Sequence, residues 1–456
     1  MAWVRALPWR TPDTVLALWG AAPWCAFLDS GGVLDGRNRW RIFCHTPRHV
    51  LKVYTNRAEL DGAPIALDGC GHVLQILRKI NRVYEKSSPQ EGVPFCGGWV
   101  GFASYAYGMA MQAVPTRHTG AEEPVFAAAF YDHAYLWDRK NRQVCVAGLG
   151  VLNAQEMNRA EAAWHALPEQ DVPVAPMPRL PLRANQTQAA YCQAVQAAQN
   201  YIAQGDIFQA NITCQHVADL PPGACAASLY RRLRKVAPAP FGAYLSCGAD
   251  FSILSCSPER FLQVDGTGRI ATRPIKGTAP RGRTEVEDHH LAQRLANDDK
   301  ERAENLMIVD LMRHDIGRVA RIGSVCVPEL WGVERFAHVH HLVSEVQGQL
   351  RDGCDVFDLL AATLPPGSVT GAPKHRAMEI IDELEAAPRG AYCGTVFCIG
   401  VDGRMDSSVI IRSFVAHAGQ LRMGTGGGIT FLSDPQREYE EMRLKLAPFA
   451  AFTEGA

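Results

Sequence analysis

No run of about 18 apolar residues occurs anywhere in the sequence, so no membrane-spanning helix is expected. Net charge is almost absent as well. Lys plus Arg number 46 and Asp plus Glu 47, a balance of −1. A chain without basic excess is a poor nucleic-acid or membrane-surface binder, and neither partner is expected. The 14 cysteines form no C-x-x-C pair, and the nearest two, Cys393 and Cys398, share a strand-like run. That spacing excludes a zinc site of the ordinary kind and predicts buried thiols. The first twenty residues are broken by Pro8, Arg10, Pro12 and Asp13. They lack the compact apolar core of a secretory signal, so a cytoplasmic location is expected. There is no Gly-x-Ser-x-Gly elbow, no phosphate loop ending in Gly-Lys-Ser/Thr, no internal repeat and no low-complexity tract.

What is present is an ordinary globular composition, 47% hydrophobic and 20% charged over 456 residues, enough for a large core. A proline-rich stretch, LPEQDVPVAPMPRLP at 167–181, reads as a linker between a strand-rich part, 1–166, and a second part, 182–456. Val125 to Asp138 and Gln143 to Val151 read as a hairpin. Gln186 to Gln204 reads as an amphipathic helix stopped by Gly205, and helices are also expected over Asp299 to Val319 and Pro373 to Ala387. Tyr392 to Met423 reads as a three-strand meander whose middle strand runs from Met405 to His417. A last helix starts at Ser433 or Asp434 with Pro435 in its first turn. Lys276 to Glu287 is expected as a polar loop. Strand clusters with isolated helices, without a β-α-β rhythm, point to an α+β fold.

Several groups of residues have chemical potential. Glu301 and Glu304 share one helical face, as do Glu438 and Glu441 with Lys445 one turn on. Four carboxylates suit a hard cation such as Mg²⁺, or else are solvated faces paired with Arg302, Arg437 and Lys445. Gly424, Gly426, Gly427 and Gly428 leave amides uncovered, which fits either an anion-binding loop or a flexible turn. Arg412 lies within the apolar run SVIIRSF and, if it points inward, needs an anion. Lys276 in TRPIKGTAPRGR is a nucleophile if it is desolvated, and a solvated loop residue otherwise. Glu259 in SCSPERF is placed for proton transfer or for an ion pair. Of His338, His340 and His341, one is expected to face inward and two outward.

Taken in order, these segments resemble the chorismate-utilising enzymes. The resemblance is strong from about Gln186 to Phe449. It rests on GDIFQANIT, SPERF, RPIKGTAPRG, ERAENLMIVDLMRHDIGRV, HHLVSEVQG, LPPGSVTGAPKHRAMEIIDELE, AYCGTVFCIG, DSSVIIRSF and GTGGGITFLSDPQREYEE. FLDSGG and GGWVGFASY carry a weaker match in the first part.

The resemblance implies two packed antiparallel sheets flanked by helices, a four-layer αββα sandwich, with the N-terminal part interleaved. It makes Glu304 and Glu441 ligands of Mg²⁺, with Glu301 and Glu438 as a second carboxylate pair. It implies that Gly426, Gly427 and Gly428 hold a substrate carboxylate, with Lys445 facing that end. Gln209, Gly277, Thr278, Thr370, Gly371, Tyr392 and Arg412 match further substrate contacts, and His341 matches an active-site histidine. Glu259 resembles the acid that assists loss of the ring C4 hydroxyl. Lys276 stands where the anthranilate- and isochorismate-forming branches usually carry alanine. It implies the branch that forms 4-amino-4-deoxychorismate through a lysine adduct, with an anthranilate-forming member as the alternative. Ammonia would come from a separate class I glutaminase partner. Ser30, Pro240, Phe241 and Gly242 match a pocket that holds tryptophan in some relatives. Asp29 departs from the glutamate of the feedback-regulated ones, which argues against inhibition by tryptophan.

Overall fold

The computed structural model describes residues 2–34, 38–85, 92–118, 122–174, 179–335 and 339–453. Two antiparallel sheets of twelve strands each pack face to face. The first runs Trp3–Leu7, Gln143–Gly148, His133–Asp138, Trp40–Cys44, Ala26–Asp29, Phe241–Ser246, Phe251–Ser257, Ser413–His417, Gln420–Ile429, Gln209–Asp219 and Arg183–Ala184, with Gly371–Ala372 beside Gln209–Asp219. The second runs Ile275–Pro280, Val339–Gln349, Arg269–Thr272, Arg260–Val264, Met405–Val409, Thr395–Gly400, Gly98–Ala103, Phe126–Tyr131, His49–Val53, Ala58–Leu60 and Ala63–Ile65, with Cys326–Arg335 beside Val339–Gln349. Strands from both sides of the 167–181 stretch enter each sheet.

The layering follows from alternation along the strands. Ala127, Ala129, Ala134, Ala147 and Ala243 meet Ile42, Phe102, Leu136 and Ile253 between the sheets, and the small side chains let the sheets approach. Their neighbours Phe27, Phe43, Tyr135 and Trp137 point outward onto Val15, Leu16, Trp164, Leu229 and Leu233 of the helices Pro12–Trp19, Ala154–His165 and Ala226–Val236. On the far side Trp99, Phe126 and Phe130 join a cluster with Leu77, Ile308, Met312, Phe357, Leu360 and Ile381, carried by the helices Cys70–Tyr84, Asp299–Gly317, Val356–Thr363 and Lys374–Leu384. The result is the expected α+β sandwich. Among the described residues no helix is long and apolar enough to cross a membrane.

Local signals in the sequence set the helix ends. Thr187 accepts a hydrogen bond from the Ala190 amide to start Gln188–Gln204, and Gly205 ends it at φ 84°. Asp434 accepts from the Arg437 amide ahead of Pro435–Leu444.

Three expectations change. The run Val125 to Asp138 is two strands, Phe126–Tyr131 in the second sheet and His133–Asp138 in the first, with the crossing at Asp132. The run Met405 to His417 divides in the same way at Ile410 to Arg412. A change of sheet keeps the same apolar alternation, so the pattern does not reveal it. The segment expected as a loop from Lys276 holds the strand Ile275–Pro280, paired with Val339–Gln349 and bulged between Lys276 and Thr278. Gly277 takes φ +81° at that bulge, where a side chain would be strained.

Candidate active site

The candidate residues gather where the chain passes between the sheets. Phe251–Ser257 belongs to the first sheet and Arg260–Val264 to the second, so Pro258 and Glu259 form a crossing. Arg412 sits on the crossing at Ile410 to Arg412, outside any strand and at φ 50°, rather than inside the apolar strand expected. The side chain is walled by protein yet open to water, and burial lowers its pKa from the ordinary value.

Gly424, Gly426, Gly427 and Gly428 form neither the expected loop nor a flexible turn. They lie within the strand Gln420–Ile429, with Gly426 opposite Thr213 and Gly428 opposite Asn211. The neighbouring strand Ser413–His417 pairs only from Met423 back to Gln420, so the other edge of the glycine stretch is open. A strand residue sends its N–H and C=O to the same side. The Gly426 carbonyl accepts from Lys445 Nζ at 2.6 Å, away from Gln209–Asp219, so the Gly426 and Gly428 amides face the open edge.

Each glycine makes room for a different group. A Cβ at Gly424 would lie 2.2 Å from the Tyr392 ring, and one at Gly428 would lie 2.2 Å from Gln209 Nε2 and 3.1 Å from Lys276 Nζ. At Gly427 the neighbours are Glu438 Oε2 at 3.1 Å and Lys445 Nζ at 3.9 Å. Gly371 lets the backbone approach the Gln209 carbonyl, where a Cβ would come within 2.1 Å. Thr370 gives its hydroxyl to the Gly367 carbonyl at 3.0 Å, so its side chain is locally engaged. Gln209 is buried, and its Oε1 has no partner.

Lys276 is half-buried and points into this space. Glu259 is buried, and burial pushes its carboxyl up to about 7. The Ser368 hydroxyl and the charges of Lys276 and Arg412 act against that rise. A carboxyl poised near neutrality can both give and take a proton.

Both described histidines are buried, against the expectation of one inward and two outward. As neighbours on Val339–Gln349 they point to opposite faces. His341 Nδ1 lies 3.0 Å from Thr278 Oγ1, and burial pushes the imidazole down to about 4, so it is neutral at pH 7. His340 Nε2 lies 2.8 Å from Asp288 Oδ1. His338 lies outside the described residues.

The four glutamates do meet. Glu301 and Glu304 come from Asp299–Gly317, and Glu438 and Glu441 from Pro435–Leu444. Burial pushes Glu301 up to about 6, with Glu304 and Glu441 repelling it. Burial also raises Glu438, while Ser433 donates to its Oε1 at 2.7 Å. Burial opposes the charge of Glu441, but Lys445 at 3.1 Å holds its pKa below the ordinary value. As they stand, no three acidic, His or Cys side chains among the described residues converge closely enough to hold a metal ion. A cation nevertheless stands among them. Lys300 Nζ lies 3.8 Å from Glu304 Oε1 and 4.0 Å from Glu438 Oε1. The donors are all oxygen, which is the ligand chemistry a hard divalent ion takes, and a lysine ammonium stands in their midst.

Lys300 and Ser368 had not been singled out in the sequence. Lys300 was findable, since it stands four residues before Glu304. Arg302, the expected partner of the acidic face, lies 3.9 Å above the Trp331 ring instead. Ser368 sits in a short turn, Gly367–Val369, and carried no signal.

Ser30, Pro240, Phe241 and Gly242 line a separate cavity of about 630 Å³ that also reaches Arg260, next to Glu259. Asp29 in its wall is bound by Arg41 at 2.8 Å and Arg234 at 2.6 Å, so its charge is already met.

A family model described as chorismate binding enzyme matches residues 33–451. The chain belongs to that family. It is an enzyme that uses chorismate. It is 39% identical over 443 residues to aminodeoxychorismate synthase component 1 of Klebsiella aerogenes, covering 96% of this chain and 95% of that protein. It is 41% identical over 364 residues to anthranilate synthase component 1 of Thermus thermophilus, covering 76% and 75%. The crystal structure of anthranilate synthase component I from Streptococcus pneumoniae superposes with TM-score 0.76 at 28% identity, covering 92% of this chain and 93% of that one. Among chorismate binding enzymes, then, this chain has full-length relatives of the aminodeoxychorismate-forming kind.

Proposed function

We propose that this chain converts chorismate and ammonia to 4-amino-4-deoxychorismate and water. The observation that carries the reading is the approach of Lys276 Nζ to Gly428 and Gln209, in one electrostatic neighbourhood with Glu259, Arg412 and Glu441. The Gly426 and Gly428 amides with Lys445 take one carboxylate of the dianionic substrate, and Arg412 meets the other. Gln209, Thr278 and Tyr392 border the ring, with Gly277, Gly371, Gly427 and Thr370 shaping the backbone around it. His341 stays neutral and orients Thr278.

The Lys276 amine forms a bond to ring C2, the two conjugated ring double bonds each shift by one position, and the C4–O bond breaks. Glu259 gives its proton to that oxygen, which leaves as water. Ammonia then bonds to C4, both double bonds return to their first positions, and the C2–N bond to Lys276 breaks. The proton shed by the new amine returns to the site, so Glu259 and Lys276 end as they began. The glutamates Glu301, Glu304, Glu438 and Glu441 would hold Mg²⁺, which when bound would neutralise substrate negative charge.

The relatives named component 1 support a second subunit, which we infer to be a class I glutamine amidotransferase supplying ammonia. In this reading the enzyme works in the cytoplasm, and the cavity at Ser30 and Phe241 is where a tryptophan would sit. The 41% identity to an anthranilate synthase component supports the alternative product, anthranilate.

The deciding experiment incubates the protein with chorismate, Mg²⁺ and ammonium, followed by mass and ultraviolet analysis of the product. Aminodeoxychorismate is expected, with a Lys276→Ala rate lower by two or more orders of magnitude, about 10²-fold or beyond. Anthranilate would replace the reading with its alternative, and equal rates for both proteins would remove the covalent role.

A further inference from the structure

Lys300 occupies an awkward place for a lysine. It is the second residue of the helix Asp299–Gly317, within the first turn at the positive end of the helix dipole, where a cation is disfavoured. Its partner on the same helix, Glu304, is four residues later, the weaker of the two orders for such a pair. Helix stability therefore gives little reason for a lysine here.

The reason lies across the cleft. The Lys300 ammonium stands between Glu304 Oε1 at 3.8 Å and Glu438 Oε1 at 4.0 Å, joining carboxylates from two helices. Both carboxylates are almost fully buried, whereas the lysine side chain is 42% exposed. Both distances exceed hydrogen-bond length, so the ammonium bridges the pair without being locked to either. It has a route to water along its own four-carbon stem.

We propose that Lys300 is an internal counter-cation: it holds the glutamate cluster together when no metal is bound and must swing out when a divalent ion enters. Metal affinity is then set by a competition built into the chain, and the site resists filling until substrate charge helps to draw the ion in. This rests on the magnesium reading of the four glutamates.

The test is Mn²⁺ binding to the full chain, followed by calorimetry and by the paramagnetic signal of free Mn²⁺, with Lys300→Met and Lys300→Arg variants. Lys300→Met keeps the stem and removes the charge. It is expected to bind Mn²⁺ at least about tenfold tighter than the unmutated protein, about 1.4 kcal/mol. Lys300→Arg is expected to stay within about threefold of the unmutated protein, because the competing charge remains. Thermal unfolding gives a second readout. Without metal, Lys300→Met should melt at a lower temperature than the unmutated protein, and Mg²⁺ should raise its melting temperature by more. Equal Mn²⁺ affinity for Lys300→Met and the unmutated protein overturns the proposal, as does Lys300→Arg binding as tightly as Lys300→Met. If none of the three binds Mn²⁺ even with chorismate present, the magnesium reading itself falls, and this proposal with it.

Discussion

Two acids stand at two crossings between the sheets. Asp132 links Phe126–Tyr131 to His133–Asp138, and Glu259 links Phe251–Ser257 to Arg260–Val264. They are almost equally buried, at 4% and 7% exposure. Their pKa values move in opposite directions. Burial works against the charge on Asp132, but His133 at 2.6 Å and a contacting Arg48 outweigh it and hold the carboxyl below the ordinary range. Glu259 has a serine hydroxyl and two cations acting on it, with no salt bridge among the described residues, and burial wins. Low exposure alone does not decide whether a carboxylate keeps its charge; a cation in contact tips the balance. Asp132 is a tie between layers, whereas Glu259 keeps a carboxyl near neutrality, which the proposed acid role requires.

Replacing Glu259 by Gln should break the comparison most visibly. Without a proton to give, the rate should fall by about 10²- to 10⁴-fold. Stability should move the other way. The folded carboxyl titrates near 7 against an ordinary 4.5, so the native state holds more protons than the unfolded chain between those values. The protein therefore loses stability as pH rises from about 4.5 to about 7, by about 3 kcal/mol in all. Glu259→Gln removes that loss, and urea unfolding at pH 8 should find the variant more stable than the unmutated protein. A variant that is both inactive and less stable at pH 8 would show that Glu259 is a structural tie like Asp132.

Asp132→Asn should give the reverse result. The depressed carboxyl contributes stability that is present above its unfolded pKa and disappears as pH falls through the folded value. At pH 7 the variant should lose about 1–3 kcal/mol by urea unfolding, discounted because Arg48 is half-exposed and keeps Glu156. Turnover per folded molecule should be unchanged. A rate loss beyond about threefold would mean that this crossing also shapes the active site.

The residues of the candidate site were legible in the sequence, and the crossings were not. Glu301, Glu304, Glu438 and Glu441 could be paired by helical spacing alone, and a helix delivers that spacing wherever it packs. Lys276, Glu259 and Arg412 stood out because a charged group beside Pro, Ile or Phe needs an explanation. Nothing in SVIIRSF reveals that Arg412 takes a left-handed turn between sheets, since the apolar pattern runs on through the break. The glycine stretch suggested a loop because glycine is a turn former. Its use in a strand depends on Gln209, Tyr392, Lys276 and Glu438, which arrive from four other segments. Inward-facing His340 was missed for the same reason: its partner Asp288 lies 52 residues away.

The finest test of the comparison removes one hydroxyl. The Ser368 hydroxyl acts on the Glu259 carboxyl and favours its charged form, a weak version of what Arg48 does for Asp132. Ser368→Ala should therefore raise the Glu259 pKa further. In the proposed mechanism the rate needs the protonated acid, so it should fall as pH rises through about 7 in the unmutated protein. In the variant that alkaline limb should move upward by up to about one unit, the worth of one hydrogen bond. Rates should be expressed per free ammonia, because ammonium also loses its proton as pH rises. The rate at pH 6, where the acid is protonated in both proteins, should change less than about threefold. A limb that moves downward, or stays in place while the pH 6 rate collapses, would mean that Ser368 positions substrate rather than tuning the acid. Arg48 next to Asp132 would then be the only one of the two neighbours that sets the charge of a crossing carboxylate.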